Sequence, residues 1–438
     1  MSYLKEKLLS SFIAFEEQKN VDSYVHGIRT KAIKKFEKEG FPTKKLENWK
    51  YTSLKKAINY DYKLFPNQSE VLEFRDIQKY LIDDIESYKI IFVDGKYCSH
   101  LSETTHDGMD ICILSSALTQ SKYDLIIENY FDKISKKDGI TSLNTAFSSE
   151  GSYIHIPKNI QVDKPIQIIH FSTGKNESVM FQPRNLIVVD ENSHVEIIER
   201  FQSINENSVL VNSVSEIYCS RKSIVKHYKI QNDKKSASLV DNTFVSQERN
   251  SSYSLHTFSF GGELTRNNLN IFQNGERIES FIRGITIIGE NQHVDHNTLI
   301  HHKKPNCESY QDYKGIYYDN SVGVFNGRVL VEKEAQKTNA FQANNNVLLS
   351  DKAAINTKPQ LEIFADDVKC SHGCTIGQLD KNALFYLRSR GIPKKEAMAL
   401  LMYGFANKVL ASVNIPEVKT RINDIIANKL GVKMGFDI

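Results

Sequence analysis

Apolar and polar residues alternate with a period of two over long stretches between about residues 150 and 370. The alternation is seen in several short segments, for example at Ile154 and Ile156, at Ile166 and Ile168, and at Val195 and Ile197. Residues on one face of a β-strand recur at this period, so the pattern predicts strand after strand. This half of the chain is therefore expected to be mostly β.

Charged or asparagine-rich turns recur at a spacing of 29 residues, from Asn192 to Arg221 to Asn250 and again from Asn291 to Asn320. A strand–turn unit repeated at this length predicts a β-solenoid, in which each coil covers the next. The spacing slips between residues 250 and 291, so a β-sandwich remains the alternative. The dipeptides at residues 274–275 and 326–327 are both Asn-Gly, which predicts tight turns.

Helical patterns flank this β region on both sides. Leu4, Leu8, Phe12 and Phe15 form one apolar helix face, and a second helix is expected from Asp22 to residue 40. Residues 60–145 are mixed, with apolar strands predicted at 89–93 and 110–114. The predicted regions are an N-terminal helical and mixed region (1–148), a β core (149–376) and a C-terminal helical domain (377–438).

The C-terminal helices carry an apolar stripe. Asp380 can cap a helix that ends at residue 391, where a glycine follows. In the next helix the stripe includes Met398, Leu401, Met402 and Phe405. Two interpretations stay open: the stripe packs on its own domain, or it fits a groove of a partner protein.

Soft metal-ligating groups lie near the end of the β region, where Cys370, His372 and Cys374 are two residues apart. On a strand they share one face, and the two cysteines lie about 13 Å apart if the strand stays extended. One metal can then take Cys370 and His372 but not all three. Gly373 is expected to bend the strand. The alternatives are a thiol and imidazole surface completed by a partner, or two core cysteines with a satisfied histidine.

Composition excludes several classes of function. The 438 residues carry 56 Lys+Arg against 53 Asp+Glu, a net charge of +3, so nucleic acid is a poor candidate partner. The N-terminus lacks the apolar core of a signal peptide, and the longest apolar run is too short for a membrane span. Six scattered cysteines are typical of reduced thiols. We expect a soluble cytoplasmic protein.

His293, Asp295, His296, His301 and His302 form the densest histidine cluster, and the His293–Asp295 pair is a candidate metal or hydrogen-bonding unit. The sequence has no Gly-x-x-x-x-Gly-Lys-Ser/Thr phosphate loop, so any ATP dependence must come from a partner.

The rival class is a β-helix polysaccharide lyase or hydrolase that uses Asp366 and Asp367. Adjacent strand residues point to opposite faces, which disfavours this pair as catalytic carboxylates.

Three longer motifs are distinctive. Residues 40–52 read Gly-Phe-Pro-Thr-Lys-Lys-Leu-Glu-Asn-Trp-Lys-Tyr-Thr, residues 361–375 read Leu-Glu-Ile-Phe-Ala-Asp-Asp-Val-Lys-Cys-Ser-His-Gly-Cys-Thr, and residues 385–393 read Phe-Tyr-Leu-Arg-Ser-Arg-Gly-Ile-Pro. By these motifs the whole chain resembles the SufB/SufD family of iron–sulfur cluster assembly proteins. The resemblance implies a right-handed parallel β-helix core flanked by an N-terminal helical region and a C-terminal helical domain.

Within the family the chain resembles the SufD type. SufB-type members carry a cysteine where this chain has Ala353, and a glutamate where Gly373 follows His372. The resemblance gives His372 the important role, and it leaves Cys370 and Cys374 open as further ligands or core residues.

The same resemblance implies a non-catalytic scaffold subunit without a tightly bound cofactor. An iron–sulfur cluster would be shared transiently with a SufB-like scaffold at their interface, and a SufC-like ATPase would bind the Met398–Phe405 stripe and hydrolyse ATP. A homodimer is an option when these partners are absent.

Overall fold

The strands predicted from the alternating pattern stack into a parallel β-solenoid in a computed structural model. The structure describes residues 3–18, 24–65, 72–82, 85–104, 108–174 and 177–432. Within these ranges, helices flank the solenoid on the N- and C-terminal sides. The prediction of a mostly β fold with a solenoid core is confirmed. Among the described residues, no helix is both long and apolar enough to cross a membrane.

The bounds of the elements are as follows. The helices are α1 (Tyr3–Glu17), α2 (Tyr24–Glu39), α3 (Phe74–Ile77), α4 (Leu114–Ala117), α5 (Asp124–Tyr130), α6 (Gly139–Ala146), α7 (Lys381–Ser389), α8 (Lys394–Leu410) and α9 (Pro416–Leu430). The strands are β1 (Tyr88–Val93), β2 (Lys96–Tyr97), β3 (Asp110–Ile113), β4 (Ser152–Ile156), β5 (Ile166–Ser172), β6 (Val179–Phe181), β7 (Arg184–Val189), β8 (His194–Ser203), β9 (Val209–Cys219), β10 (Ile224–Gln231), β11 (Ala237–Gln247), β12 (Ser252–Ser259), β13 (Leu264–Gln273), β14 (Glu279–Ile288), β15 (His293–His302), β16 (Glu308–Tyr317), β17 (Val322–Val331), β18 (Asn339–Leu348), β19 (Ala354–Ile363) and β20 (Lys369–Gly377).

Two sheets run along the solenoid, and each coil gives one strand to each of them. Sheet 1 has the order β2-β1-β5-β8-β10-β12-β14-β16-β18-β20, and sheet 2 has the order β19-β17-β15-β13-β11-β9-β7-β4-β3. Strands β1 and β3 lie within the predicted N-terminal region, yet they join these sheets. The strands pair in parallel except β2 and β3 at the start, which rules out the antiparallel β-sandwich alternative.

The coil length explains the repeat in the sequence. One register position of sheet 1 is occupied in turn by His194, Ile224, Ser252, Glu279, Glu308, Asn339 and Lys369, at intervals of 27 to 31 residues. Asn192 and Asn250 occupy the left-handed region at the turns, with φ of 60° and 59°. Asparagine tolerates this conformation better than most residues, so it marks the corners of successive coils.

The dipeptide prediction is wrong at residues 326–327. These residues lie in the middle of β17, because neighbouring coils supply the pairing that a hairpin would otherwise provide. Gly327 is needed for another reason. A Cβ there would come within 2.4 Å of Nε2 of Gln342 across the interior.

The N-terminal helices cover the outer face of sheet 2. Leu4, Leu8 and Phe36 pack with Leu210 and Val240 of that sheet in one buried cluster. The predicted helix boundary at residue 22 lies outside the described residues, and the helix is described from residue 24 onward.

A charged group is buried inside the solenoid around Lys229. Its ammonium lies 2.9 Å from Glu199 and 2.6 Å from Asp241, and it donates to Thr243 at 2.7 Å. Nε2 of His227 lies 3.2 Å from the same Glu199 carboxylate. Burial lowers the pKa of Lys229, but the two carboxylates outweigh that effect and leave the pKa raised. The ammonium is thus paired with two carboxylates within the core.

The last coil leaves the solenoid open at one end. β19 and β20 are the final strands of the two sheets, and each pairs with a neighbour on one side only within the described structure. Residues of β20 are exposed or half-buried although earlier strands of the same sheet are largely buried. Among the described residues no further coil covers this end, and the motif with Cys370, His372 and Cys374 lies there.

Candidate functional site at the open end

The terminal strand β20 places Cys370, His372 and Cys374 on one face, as predicted. The strand pairs in register with β18, so that Cys370 lies beside Ala340, His372 beside Gln342 and Cys374 beside Asn344. The three partners on β18 are buried in the solenoid interior. The cysteines and the histidine therefore occupy the inward-facing positions of the last coil, and no further strand of the described chain pairs with it.

The three side chains differ in exposure. His372 and Cys374 are exposed, whereas Cys370 is half-buried against a small apolar cluster that includes Ala340 and Val331. Burial raises the pKa of the Cys370 thiol. The His372 and Cys374 side chains are therefore accessible without any change in the strand.

The predicted bend at Gly373 is wrong. β20 keeps an unbroken parallel register from residue 369 to 377, because pairing with β18 holds it extended. A Cβ at Gly373 would meet no atom within 4 Å. Packing does not require glycine at this position, and the two cysteines remain at the two ends of an extended segment.

The arrangement offers ligands without enclosing a metal. In the part of the chain that the structure describes, no group of three or more His, Cys, Asp or Glu side chains is placed to hold a metal ion. A neutral imidazole and a thiolate are suitable iron ligands, but a stable site needs more of them. The geometry is that of a partial ligand set, open on the side where another molecule can supply the rest.

The surroundings of this face are apolar and have free strand edges. Phe364 is 61% exposed, Ile376 is 50% exposed, and Ile363 on the last strand of sheet 2 is 38% exposed. Exposed apolar groups beside a sheet edge are typical of a protein interface. The open end therefore combines metal-ligating side chains with a surface suited to another protein.

Ala353, Asp366 and Asp367 lie outside β20. Ala353 is buried with Tyr317 and Val294, and it has no thiol to offer. Asp366 and Asp367 are exposed in the turn between β19 and β20, not on a strand as assumed.

The dense histidine cluster is dispersed by the alternation of β15. Asp295 accepts hydrogen bonds from Thr52 and from Arg266, and Nε2 of His293 lies 3.0 Å from the same Thr52 hydroxyl. The Arg266 guanidinium also stacks 3.9 Å from the centre of the Trp49 ring. The His293–Asp295 pair thus anchors the residue 40–52 motif to sheet 2.

The other three histidines of that cluster point elsewhere. His296 and His302 face the interior, where they contact Thr286 and Ser309 at 2.9 Å, and His301 pairs with Glu332 at 2.8 Å. Burial lowers the pKa of His296 to about 4.

The apolar stripe of α8 lies mainly against its own sheet. Met402 is buried in the cluster formed with the outer face of sheet 1, and Met398 and Phe405 pack against that cluster. The Lys314 ammonium lies 4.4 Å from the centre of the Phe405 ring. Leu401 is half-buried. The interpretation in which the helix docks on its own domain therefore accounts for most of the stripe.

The exposed apolar surface of the C-terminal domain is instead on α7. None of its residues is buried, and Phe385 is 74% exposed. Asp380 caps this helix by accepting from the backbone N–H groups of Asn382 and Ala383, as predicted.

The comparisons with known proteins cover the whole solenoid and its N-terminal flank. The model of the SUF system FeS cluster assembly SufBD core domain matches residues 170–405, and the model of the SufBD protein N-terminal region matches residues 11–168.

Curated relatives are similar along most of their length. The iron–sulfur cluster assembly protein SufD of Escherichia coli is 30% identical over 89% of this chain and 90% of its own length. SufD of Bacillus subtilis is 27% identical over 95% of this chain and 96% of its own. An iron–sulfur cluster assembly SufBD family protein of Synechocystis is 31% identical over 88% of this chain and 87% of its own length.

Proposed function

The chain belongs to the SufBD family of iron–sulfur cluster assembly proteins, and we propose that it is a SufD-type scaffold subunit whose His372 takes part in cluster formation. The cluster is the product that the assembly builds, shared transiently with a SufB-type subunit at the open end of the solenoid. This chain holds no cofactor tightly and catalyses no ATP hydrolysis. The family does not favour the polysaccharide lyase or hydrolase.

One observation carries this proposal: His372 is exposed on the inward face of an uncovered coil. Every earlier coil of the described solenoid is covered by the next, so inward groups there are buried. At the open end the imidazole of His372 and the thiol of Cys374 are exposed beside the half-buried Cys370, within reach of ligands from a subunit that covers the end. The exposed residues Phe364 and Ile376 supply the apolar contact for that subunit.

The test is His372→Ala in the complex with SufB- and SufC-type partners. The change removes little buried apolar area, so the complex should still assemble by size exclusion. Iron and sulfide bound after anaerobic reconstitution should be lost. Ser371→Ala is the matched control, because Ser371 lies on the opposite face of the same strand and should leave cluster content unchanged. Full cluster content in His372→Ala would refute the ligand role.

A second experiment tests the shared nature of the cluster. The isolated chain offers Cys370, His372 and Cys374 at the open end, no three-ligand metal group is formed among the described residues, and Ala353 adds no thiol. After reconstitution alone it should keep no stable iron–sulfur absorption band. A persistent, stoichiometric band would show that the two cysteines complete a site within this chain.

For the SufC-type ATPase we propose a contact on the C-terminal helical domain. The exposed aromatic residues Phe385 and Tyr386 of α7 and half-buried Leu401 of α8 form the contact surface. Met398, Met402 and Phe405 support it from the side of the sheet. Phe385→Asp should weaken ATPase binding while the fold is kept, because it places a charge in an apolar contact. Leu125→Asp is the control, since Leu125 is 70% exposed and lies far along the sequence in α5.

A further inference from the structure

Gln342 lies beside His372 on the preceding coil, and its amide group is buried without a hydrogen-bond partner. It is the register partner of His372 in the parallel pair β18–β20. The residue is only 3% exposed, and neither its amide oxygen nor its amide nitrogen has a hydrogen-bond partner. Leaving a buried amide unpaired destabilises the folded protein. Such a group in the interior calls for a functional explanation.

The neighbours of Gln342 leave room for its amide but form no hydrogen bond with it. Gly327 on the opposite sheet leaves room for the amide nitrogen, since a Cβ there would come within 2.4 Å of Nε2. One coil below, Oε1 of Gln311 accepts from the hydroxyl of Thr298 at 2.7 Å, whereas Nε2 of Gln311 has no hydrogen-bond partner and forms none with Gln342. The polar side chain in register on the uncovered side is that of His372.

We propose that Gln342 is a positioning residue for His372, whose amide oxygen accepts the N–H of one imidazole nitrogen. The other ring nitrogen then carries a free lone pair toward the open end. Neighbouring strands lie about 4.8 Å apart, so a rotation of the exposed imidazole brings the two groups into hydrogen-bond range. This inference rests on the proposed function, in which His372 is a ligand.

The chemical reason lies in the two nitrogens of histidine. A histidine that binds a metal through one nitrogen usually donates the N–H of the other to an oxygen acceptor, which fixes the tautomer and the direction of the ring. Loss of such an acceptor typically lowers metal affinity by about 10–100-fold. Gln342 is the buried acceptor in the right register to serve His372.

The main variant is Gln342→Met, which keeps the size of the side chain and removes the amide. Because it also removes an unpaired buried amide, its melting temperature should be equal to or above that of the wild type. In the assembled complex, iron bound at limiting ferrous iron and sulfide should fall about tenfold. Gln342→Glu, which keeps an oxygen acceptor, should restore iron binding.

The matched control is Gln311→Met, one coil further from the open end. It makes the same chemical change in the same column of the interior, but it does not touch the register partner of His372. It should leave iron binding at the wild-type level. If Gln342→Met fails to fold, Gln342→Asn takes its place, because it retains an amide that is one methylene too short and should lose iron equally.

A spectroscopic measurement separates positioning from a merely structural role. With ¹⁵N-labelled histidine, the imidazole signals of His372 are identified by their loss in His372→Ala. The wild type should show one dominant neutral tautomer, and Gln342→Met should show a mixture. Identical tautomer ratios, or full iron binding by Gln342→Met, would overturn the inference.

The outcomes also distinguish this inference from the proposed function. If His372→Ala abolishes cluster formation and Gln342→Met does not, only the positioning role is lost. If His372→Ala itself retains the cluster, the proposed function fails first.

Discussion

His170 should make the folded protein sensitive to acid, and His170→Phe should reduce that sensitivity. The imidazole is 1% exposed and stacks between Phe92 and Phe201 inside the solenoid, with ring centres 5.0 Å and 4.8 Å away. Neither ring nitrogen has a hydrogen-bond partner. Burial lowers the pKa of His170 to about 4. The folded protein therefore holds this ring neutral in an aromatic stack.

The sign and size of the effect follow from the two pKa values. The unfolded chain takes up a proton near pH 6.5, before the folded protein does, so the contribution of His170 is complete above that pH and is lost as the pH falls toward 4. Between about pH 7.5 and pH 5 the loss is about 2 kcal/mol. For a chain of this length it corresponds to a shift of about 2 °C in melting temperature.

The assay is thermal unfolding of wild type and His170→Phe at both pH values. Phenylalanine completes the stack and removes two unpaired nitrogens, so its melting temperature at pH 7.5 should not be lower. Between pH 7.5 and 5 the variant should lose about 2 °C less than the wild type. Phe92→Leu is the control, because it loosens the same stack without removing a titrating group. It should lower the melting temperatures at pH 7.5 and at pH 5 by the same amount. An unchanged pH dependence in His170→Phe would refute the reasoning.

Three further predictions concern the core and the tail. Lys229→Met should lower the free energy of unfolding by about 3–5 kcal/mol in chemical denaturation, because two buried carboxylates lose their cation; wild-type stability would contradict this. Gly327→Ala should cost about 1–3 kcal/mol by crowding Gln342, as measured by the same method, and a neutral result would show that the interior can yield. Asp380→Ala should weaken α7 by about 1 kcal/mol, seen as faster hydrogen exchange there alone; exchange that also rises in the β core would indicate a wider role.

The sequence pattern favoured the β-solenoid over a β-sandwich because its alternation and its turn spacing have the same physical origin. Asn192 and Asn250 lie at the same corner of different coils. This corner recurs once per coil, whichever residues form the strands between. Asn326 and Gly327 were assigned to a turn because a dipeptide pattern is local. Their place in a strand is set by pairing with residues about 30 positions away, which a local pattern does not contain.

The candidate site was predicted only as far as one strand determines it. The two-residue spacing put Cys370, His372 and Cys374 on one face without any knowledge of the neighbours. Gln342 was missed, because its relation to His372 depends on the register between two coils. The stripe with Met402 was ambiguous for a similar reason: helical periodicity identifies an apolar face but not the surface that covers it.

The solenoid also constrains how such a chain can change over evolution. Each coil pairs only with the coils next to it, so gain or loss of one whole coil moves the terminal strand by about 4.8 Å along the axis and preserves its inward and outward faces. A change of one residue within a strand instead exchanges the two faces. The distance between the N-terminal helices and the open end can therefore change in discrete steps, while the terminal strand keeps the same face toward the open end.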